Sequence, residues 1–427
     1  MYDTQAELGE RALLVGLERP GHDKWAVQDS LLELRELAES AGAEVVDTIT
    51  QKRDAPSAPT FIGTGKAGEL AAQCRTAEAN LVIFDDDLSP AQGRNLGEII
   101  GKDVKVLDRT ELILDIFAQR ARTREGKIQV ELAQMQYMLP RLTGLWTHLS
   151  RQRGGMGCRG PGETQLEVDR RRVQEKIARL GRELAEVRQN RRTERSGRQR
   201  LHWPLVSLVG YTNSGKSTLM NALTGANVFA EDKLFATLDP TTRKLRLPNS
   251  QNILLSDTVG FLRKLPHHLI ESFKATLEEV AEADLLLHVV DVSHPQAADQ
   301  IKAVEVVLQE INAWGKPTIV ALNKTDRLSG DGTTLNKFLR EFPRAVPIAA
   351  KLNENLPALL DEVVNRLGDW RLDVHLRIPH DRARTIALVY QSGQVTERTH
   401  EGDDVLLRAQ IPKMLAGELA PFIVADE

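Results

Sequence analysis

The sequence predicts an α/β protein built in several parts. A mostly parallel sheet with helices on both faces occupies the middle of the chain. A smaller α/β domain with a long antiparallel helical hairpin precedes it, and a small α+β domain follows. Three observations carry this reading. Short apolar runs alternate with helical patterns over the first ~120 residues and again from Leu205 onward. Two heptad seams face each other across a glycine-rich break. The apolar run Leu205–Val209 leads directly into GYTNSGKS, residues 210–217, a phosphate-loop pattern in strand–loop–helix context.

In the first part, Ala12–Leu17, Ala43–Ile49, Leu81–Phe84 and Val104–Leu107 read as strands, and Leu31–Ala41, Gly65–Ala77 and Ala91–Ile100 as helices. Strands separated by helices favour a parallel sheet. Then Ile128, Leu132, Met135, Leu139, Leu142, Trp146 and Leu149 recur at heptad spacing, with Pro140 predicting a kink. The returning seam is Leu166, Val173, Ile177, Leu180, Leu184 and Val187, with Arg170 at one seam position. The break between them, residues 151–162, holds five glycines and three arginines. Such a tip has no core of its own; its backbone can approach a ligand closely while Arg151, Arg153 and Arg159 contact phosphate, as RNA presents it, and the alternative is a floppy basic loop. Residues 188–200 read as a basic linker. The later strands are Leu205–Val209, Asn252–Ser256, Ala283–Val292, Thr318–Leu322 and Val346–Ala349, and His375–Ile378 and Val405–Ala409 belong to the tail. The expected domains are 1–120, 121–200, 201–370 and 371–427.

Composition bounds the function. The 427 residues carry 27% charged and 41% hydrophobic side chains, which excludes a disordered or collagen-like chain. No run approaches the ~18 apolar residues of a membrane helix, and the start lacks a basic segment followed by an apolar one. Two distant cysteines argue against a disulfide framework or zinc site and for a reducing cytoplasm. The net charge of −4 hides an asymmetry: residues 151–200 contain 15 Lys+Arg against 7 Asp+Glu. One basic segment on an otherwise acidic chain argues for a local polyanion contact, not for general nucleic-acid coating, with a solvated helix surface as the alternative; DNA is not an expected partner.

The phosphate loop comprises Gly210, Tyr211, Thr212, Asn213, Ser214, Gly215, Lys216 and Ser217. Its backbone N–H groups can wrap phosphates at a helix N-terminus. Lys216 is expected to bridge the β- and γ-phosphates and Ser217 to ligate Mg2+. Asp257, Thr258, Val259 and Gly260 follow an apolar strand; Asp257 suits a magnesium-bound water, and Gly260 can offer its N–H to the γ-phosphate. Between them lies FATLDPTT, whose Phe235, Ala236, Thr237, Leu238 and Asp239 are expected to line the nucleotide. Thr237 is the favoured residue to close the magnesium shell, with Thr241 and Thr242 as rivals.

Asn323, Lys324, Thr325 and Asp326 end another apolar run. The Asp326 carboxylate can accept from guanine N1–H and the 2-amino group, which adenine lacks. Asn323 is expected to brace this loop and the Lys324 stem to cover the ring. A last element, Ala349, Ala350 and Lys351, places the Ala350 N–H for guanine O6.

The order GYTNSGKS, threonine segment, DTVG, NKTD and AAK resembles the translation-factor-like P-loop GTPases. FIGTGK (residues 61–66), the tip running into RGGMGCRGPGETQLEVDRRR (residues 153–172) and FATLDPTTR make the closer resemblance, to the HflX family of ribosome-associated GTPases. This covers most of the chain to about residue 370 and thins in the tail. The resemblance implies a GTP- and GDP-binding factor on the large ribosomal subunit and its rRNA, associated with dissociating idle or stalled ribosomes, notably under stress. It also assigns magnesium ligation to Ser217 and Thr237, and the chain is expected to act as a monomer. The rival readings are a ribosome-assembly GTPase acting on immature large subunits and a GTP-switched binding module with incidental turnover.

Two features shape the expected chemistry. Phe261 stands where many GTPases carry a water-orienting glutamine, so turnover should be slow unless ribosomes stimulate it. Lys216, Thr237 and Gly260 remain as the catalytic set. The amide oxygen of Asn213 can help hold K+ between the phosphates. In FIGTGK, the glycines read as a tight left-handed turn and helix cap, with an adenine-nucleotide site as the alternative.

Overall fold

A computed structural model describes residues 9–20, 24–142, 165–199, 203–225, 234–235, 238, 241–264, 277–328, 332–368 and 371–424. It divides into two compact units, Met1–Glu186 with Lys233–Phe235 and Leu265–Ser272, and Val187–Asp232 with Ala236–Lys264 and Phe273–Glu427.

The first unit opens with β1 (Arg11–Glu18), α1 (Lys24–Ala41), β2 (Glu44–Lys52), α2 (Thr64–Thr76), β3 (Leu81–Phe84), α3 (Pro90–Ile100) and β4 (Lys105–Asp108). The strands form a parallel sheet in the order β2-β1-β3-β4. One face buries Leu13, Val15, Val82 and Phe84 against Leu70 and Cys74 of α2 and Leu96 and Ile100 of α3. Burial pushes the Cys74 thiol up. Ser89 and Gln92 form a reciprocal capping box that starts α3. At FIGTGK the left-handed residue is Phe61 (φ +62), not either glycine. Gly63 is an extended N-cap whose N–H is taken by Gln51 Oε1 at 2.8 Å.

Two helices follow, α4 (Arg109–Arg120) and α5 (Arg124–Met138). Helix α4 is not among the helices expected from the sequence. The expected kink at Pro140 is instead a helix end: α5 stops at Met138, and Leu139 is its C-cap. Proline cannot donate the next intrahelical bond, although Leu139 before it keeps helical dihedrals, φ −51 and ψ −49. Arg141, just past this end, reaches back to Asp108 Oδ2 at 3.2 Å and to the Leu88 carbonyl at 2.8 Å. Tyr137 donates its hydroxyl to Asp108, so side chains from α5 and the following turn are tied to the C-terminal end of β4. Helix α6 (Gln165–Gln199) is continuous for 35 residues. Within it Leu180 and Leu184 are buried, and Arg170 is exposed. The stretch expected as a linker is therefore helical to Gln199; Arg, Gln and Glu are good helix formers as residue types, and one Gly costs only about 1 kcal/mol.

The second unit continues with β5 (Leu205–Val209), α7 (Lys216–Thr224), β6 (Thr241–Arg246), β7 (Asn252–Asp257), β8 (Leu285–Asp291), α8 (Ala297–Glu310), β9 (Thr318–Asn323), α9 (Thr333–Glu341), β10 (Val346–Pro347) and α10 (Leu356–Gly368). The order is β10-β9-β8-β5-β7-β6, parallel except for β6, an antiparallel edge strand absent from the sequence reading. One face packs Leu219, Leu359 and Val363 on Val206, Leu208 and Leu287. The other packs Ile301 and Phe338 on Val290 and Leu322. A buried sheet of this kind presents the ends of β5, β7, β8 and β9 along one edge, where ligands bind in parallel α/β folds.

The tail forms β11 (Arg371–Pro379), α11 (Ala383–Ser392), β12 (Gln394–Glu401), β13 (Asp404–Pro412), α12 (Ala416–Leu419) and β14 (Ile423–Val424). Its antiparallel order β12-β13-β11-β14 makes it a split β-α-β domain of the ferredoxin-like kind, with Leu376, Val389, Leu407 and Leu419 in its core. Among the described residues, no helix is long and apolar enough to cross a membrane.

Candidate functional site

The site grows from the ends of four parallel strands. After β5 the chain turns through residues 210–215, with Asn213 at φ +57 and Gly215 at φ +98. Gly215 is the N-cap of α7 and supplies no side-chain cap, which leaves the first turn of the helix facing the loop. A Cβ at Gly215 would lie 2.2 Å from Asn323 Nδ2, so a side chain there is excluded by both space and backbone conformation.

Asn323 is the hub. Its Nδ2 donates to the Ser214 carbonyl at 2.8 Å, and its Oδ1 accepts from the Ala350 N–H at 3.0 Å. Three loops that are remote in sequence thus meet at one buried amide. The Ala350 N–H, expected at guanine O6, is engaged by Asn323 in this structure.

Lys216 is buried. Its Nζ donates to the carbonyls of Gly210 at 3.1 Å and Tyr211 at 2.7 Å. Burial pushes its pKa down to about 8; Asp257 opposes the shift and Lys324 adds to it. Nearby on β8, burial and the Lys216 charge push His288 down to about 4, so it is neutral at physiological pH.

Asp257 ends β7 fully buried and accepts from Ser217 Oγ at 2.7 Å. A hydroxyl against a buried carboxylate is a hard-oxygen pair of the type Mg2+ selects, so these residues fit that ion. Thr258 donates its hydroxyl to the Leu208 carbonyl at 2.6 Å, and Val259 is buried. Gly260 lies against Thr212. Thr212 N–H donates to the Phe261 carbonyl at 2.8 Å, Phe261 N–H donates to the Gly210 carbonyl at 3.1 Å, and Arg263 N–H donates to the Tyr211 hydroxyl at 2.9 Å. Phe261 is buried and stitches its segment to the phosphate loop by backbone.

On the base side, Lys324 has φ +61 and pairs with Asp291 at 2.7 Å. Thr325 Oγ1 donates to the Ile348 carbonyl at 3.0 Å, and Asp326 is exposed in the turn Thr325–Arg327. Ala349 and Ala350 are buried and Lys351 is exposed. Asp291 was missed from the sequence; its signal was a carboxylate ending an apolar strand, as at Asp257.

The threonine segment is divided. Phe235 belongs to the first unit, where its ring packs edge-on against Phe117 with centroids 4.6 Å apart. Leu238 is buried. The rival magnesium threonines Thr241 and Thr242 lie in β6 opposite Asp257 and Ser256. Ala236, Thr237, Asp239, Arg151, Arg153 and Arg159 lie outside the described residues.

A phosphate loop, a buried carboxylate at the end of β7 and an Asn-Lys-x-Asp turn after β9, all on one edge of this sheet, define a P-loop protein of the GTPase class. Family models agree: residues 28–118 match the GTP-binding GTPase N-terminal model, residues 120–198 the GTP-binding GTPase middle region, and residues 205–324 the 50S ribosome-binding GTPase model. The GTPase HflX of Caldanaerobacter subterraneus subsp. tengcongensis is 45% identical over 97% of this chain and 94% of its own. That of Escherichia coli (strain K12) is 43% identical over 96% of each. A solved structure of SsGBP with GDP covers 84% of this chain and 99% of its own at 26% identity and a TM-score of 0.49, too loose a likeness to add to the argument. The chain belongs to the HflX family of GTPases.

Proposed function

We propose that this chain hydrolyses GTP as a magnesium-dependent factor on the large ribosomal subunit and dissociates idle or stalled ribosomes. The observation that carries the reading is the Asn323 hub, which joins the loop suited to phosphate to the loop suited to guanine. The match of residues 205–324 to a family described as 50S ribosome-binding supports the partner.

Lys216 exchanges its two loop carbonyls for the β- and γ-phosphates. Ser217 and Thr237 would hold Mg2+, with Asp257 acting through water, and the ion would supply charge neutralisation at the phosphates. Asp326 accepts from the guanine edge. Gly260 offers its N–H to the γ-phosphate and so reports its loss. Phe261 offers no side-chain hydrogen bond to water, and intrinsic GTPase rates are ~10⁻⁴ s⁻¹ even where glutamine is present. Turnover is therefore slow alone and strongly raised by large subunits.

Arg151, Arg153 and Arg159 at the hairpin tip contact rRNA. Binding drives dissociation and hydrolysis releases the factor. Sedimentation of ribosomes with the protein and GTP, GDP or a non-hydrolysable GTP analogue tests this. Dissociation with GTP and the analogue, but not GDP, is expected. Intact ribosomes under all three nucleotides overturn the reading, and dissociation only on γ-phosphate cleavage overturns the order of events.

A further inference from the structure

We infer that Asp291 is a positioning residue for guanine recognition, acting through Lys324. Asp291 ends β8 directly opposite Asn323 on β9, and the two strand ends are joined by the Val292 N–H to Asn323 carbonyl bond at 3.1 Å. One carboxylate oxygen pairs with Lys324 Nζ at 2.7 Å. The other accepts from Ser293 N–H at 3.0 Å and Ser293 Oγ at 2.6 Å. Both partners of the ion pair are largely buried, with side-chain exposures of 14% and 13%. The carboxylate is thus held at both oxygens and cannot swing away from the lysine.

The backbone prepares the other half. Lys324 occupies the left-handed region at φ +61, a conformation that a non-glycine residue keeps only where its surroundings enforce it. A lysine stem has several rotatable bonds, and ordering it on binding would subtract from affinity. With Nζ anchored, the stem is already fixed beside the Asp326 turn before a base arrives. The serine contacts explain why the anchor is rigid, and burial explains why solvent does not loosen it.

This inference rests on reading the pocket as a guanine-nucleotide site. The test is a double-mutant cycle with wild type, Asp291→Asn, Lys324→Met and the double variant, each titrated calorimetrically with GDP and with inorganic tripolyphosphate. Asp291→Asn keeps an acceptor for Ser293 and removes the charge. It is expected to weaken GDP about two- to tenfold while leaving tripolyphosphate affinity unchanged. The double variant should bind GDP no more weakly than Lys324→Met alone. Asp291→Glu, which restores the charge, should lie closer to wild type. Additive losses in the cycle, or an equal loss of tripolyphosphate affinity, overturn the inference. Failure of the wild type to bind GDP would instead overturn the reading of the pocket.

Discussion

Asn323 Nδ2 donates to the Ser214 carbonyl at 2.8 Å across 109 residues of sequence. That bond and the Ala350 N–H on its other side hold the phosphate loop at a fixed distance from the base loop. Replacing Asn323 by Asp puts a carboxylate oxygen where a donor stood, against the carbonyl of Ser214. A buried hydrogen-bond partner left unsatisfied costs about 1–3 kcal/mol, and a charge costs more. Asn323→Asp should therefore lower GDP affinity by about 10²-fold, and Asn323→Ala by about tenfold. Fluorescent-GDP titration measures both, and an Asn323→Asp variant within twofold of wild type would contradict the hub.

Gly260 tests the seam between the phosphate loop and the segment after β7. A Cβ there would sit 2.8 Å from Thr212 Cα and 3.1 Å from Lys216 Nζ. The Thr212 neighbour is backbone, so the segments must separate. Gly260→Ala is expected to retain GDP, whose phosphates need only the loop, and to lose most GTP turnover. Single-turnover hydrolysis beside GDP binding separates the two. Unchanged turnover would mean the seam has no part in the reaction.

The legible parts of this protein were those with local chemistry. The strand pattern of Leu81–Phe84 and the glycine-lysine-serine turn at residues 215–217 each carry their signal within a few residues. Helix α4 was missed because its apolar residues lie on several faces; Leu112, Ile113, Leu114 and Ile116 are all buried, so no single stripe stands out. Its cap was readable: Asp108 accepts from Glu111 N–H at 2.9 Å, an acidic N-cap with an acidic residue three later. β6 was missed because its residues, TTRKLR, are polar at every position but one, as an edge strand allows. The Asp291–Lys324 pair was not legible because strand pairing, not sequence proximity, brings the two together.

Asn213 stands fourth in the phosphate loop at φ +57. If its amide oxygen helps hold a potassium ion at the phosphates, turnover should be several-fold faster in K+ than in Na+ at equal ionic strength. Asn213→Ala should abolish the difference while GDP still binds. Equal rates in the two salts would end this reading.

Lys216 gives GDP binding a pH dependence. Its pKa in the free protein is pushed down to about 8 by burial. Phosphate contact requires the charged amine, so above about pH 8 the free protein must take up a proton to bind. Affinity should fall by up to about tenfold per pH unit beyond that point. Proton uptake appears calorimetrically as a buffer-dependent enthalpy at pH 8.5–9. The same shift makes the unliganded fold gain stability as pH rises from about 8 toward the ordinary lysine range, because there the unfolded chain binds the extra proton. Affinity that is flat from pH 7 to 9 would contradict a buried amine of this kind.

Glu111 offers a stability test in the first unit. Burial, with Asp108 and Asp115 adding, pushes its carboxyl from 4.5 to about 7, while Arg141 and Lys105 oppose the shift. Between those values the folded chain holds a proton that the unfolded chain has released. Stability therefore falls as pH rises through that window, and the full penalty is present above pH 7. Allowing for partial exposure, it is about 1–2 kcal/mol. Glu111→Gln keeps the backbone N–H that Asp108 caps and removes the charge. Its unfolding midpoint should exceed wild type by about 2–6 °C at pH 8 and match it near pH 5. A variant equally stabilised at both pH values would show that the gain comes from something other than the carboxylate's ionisation.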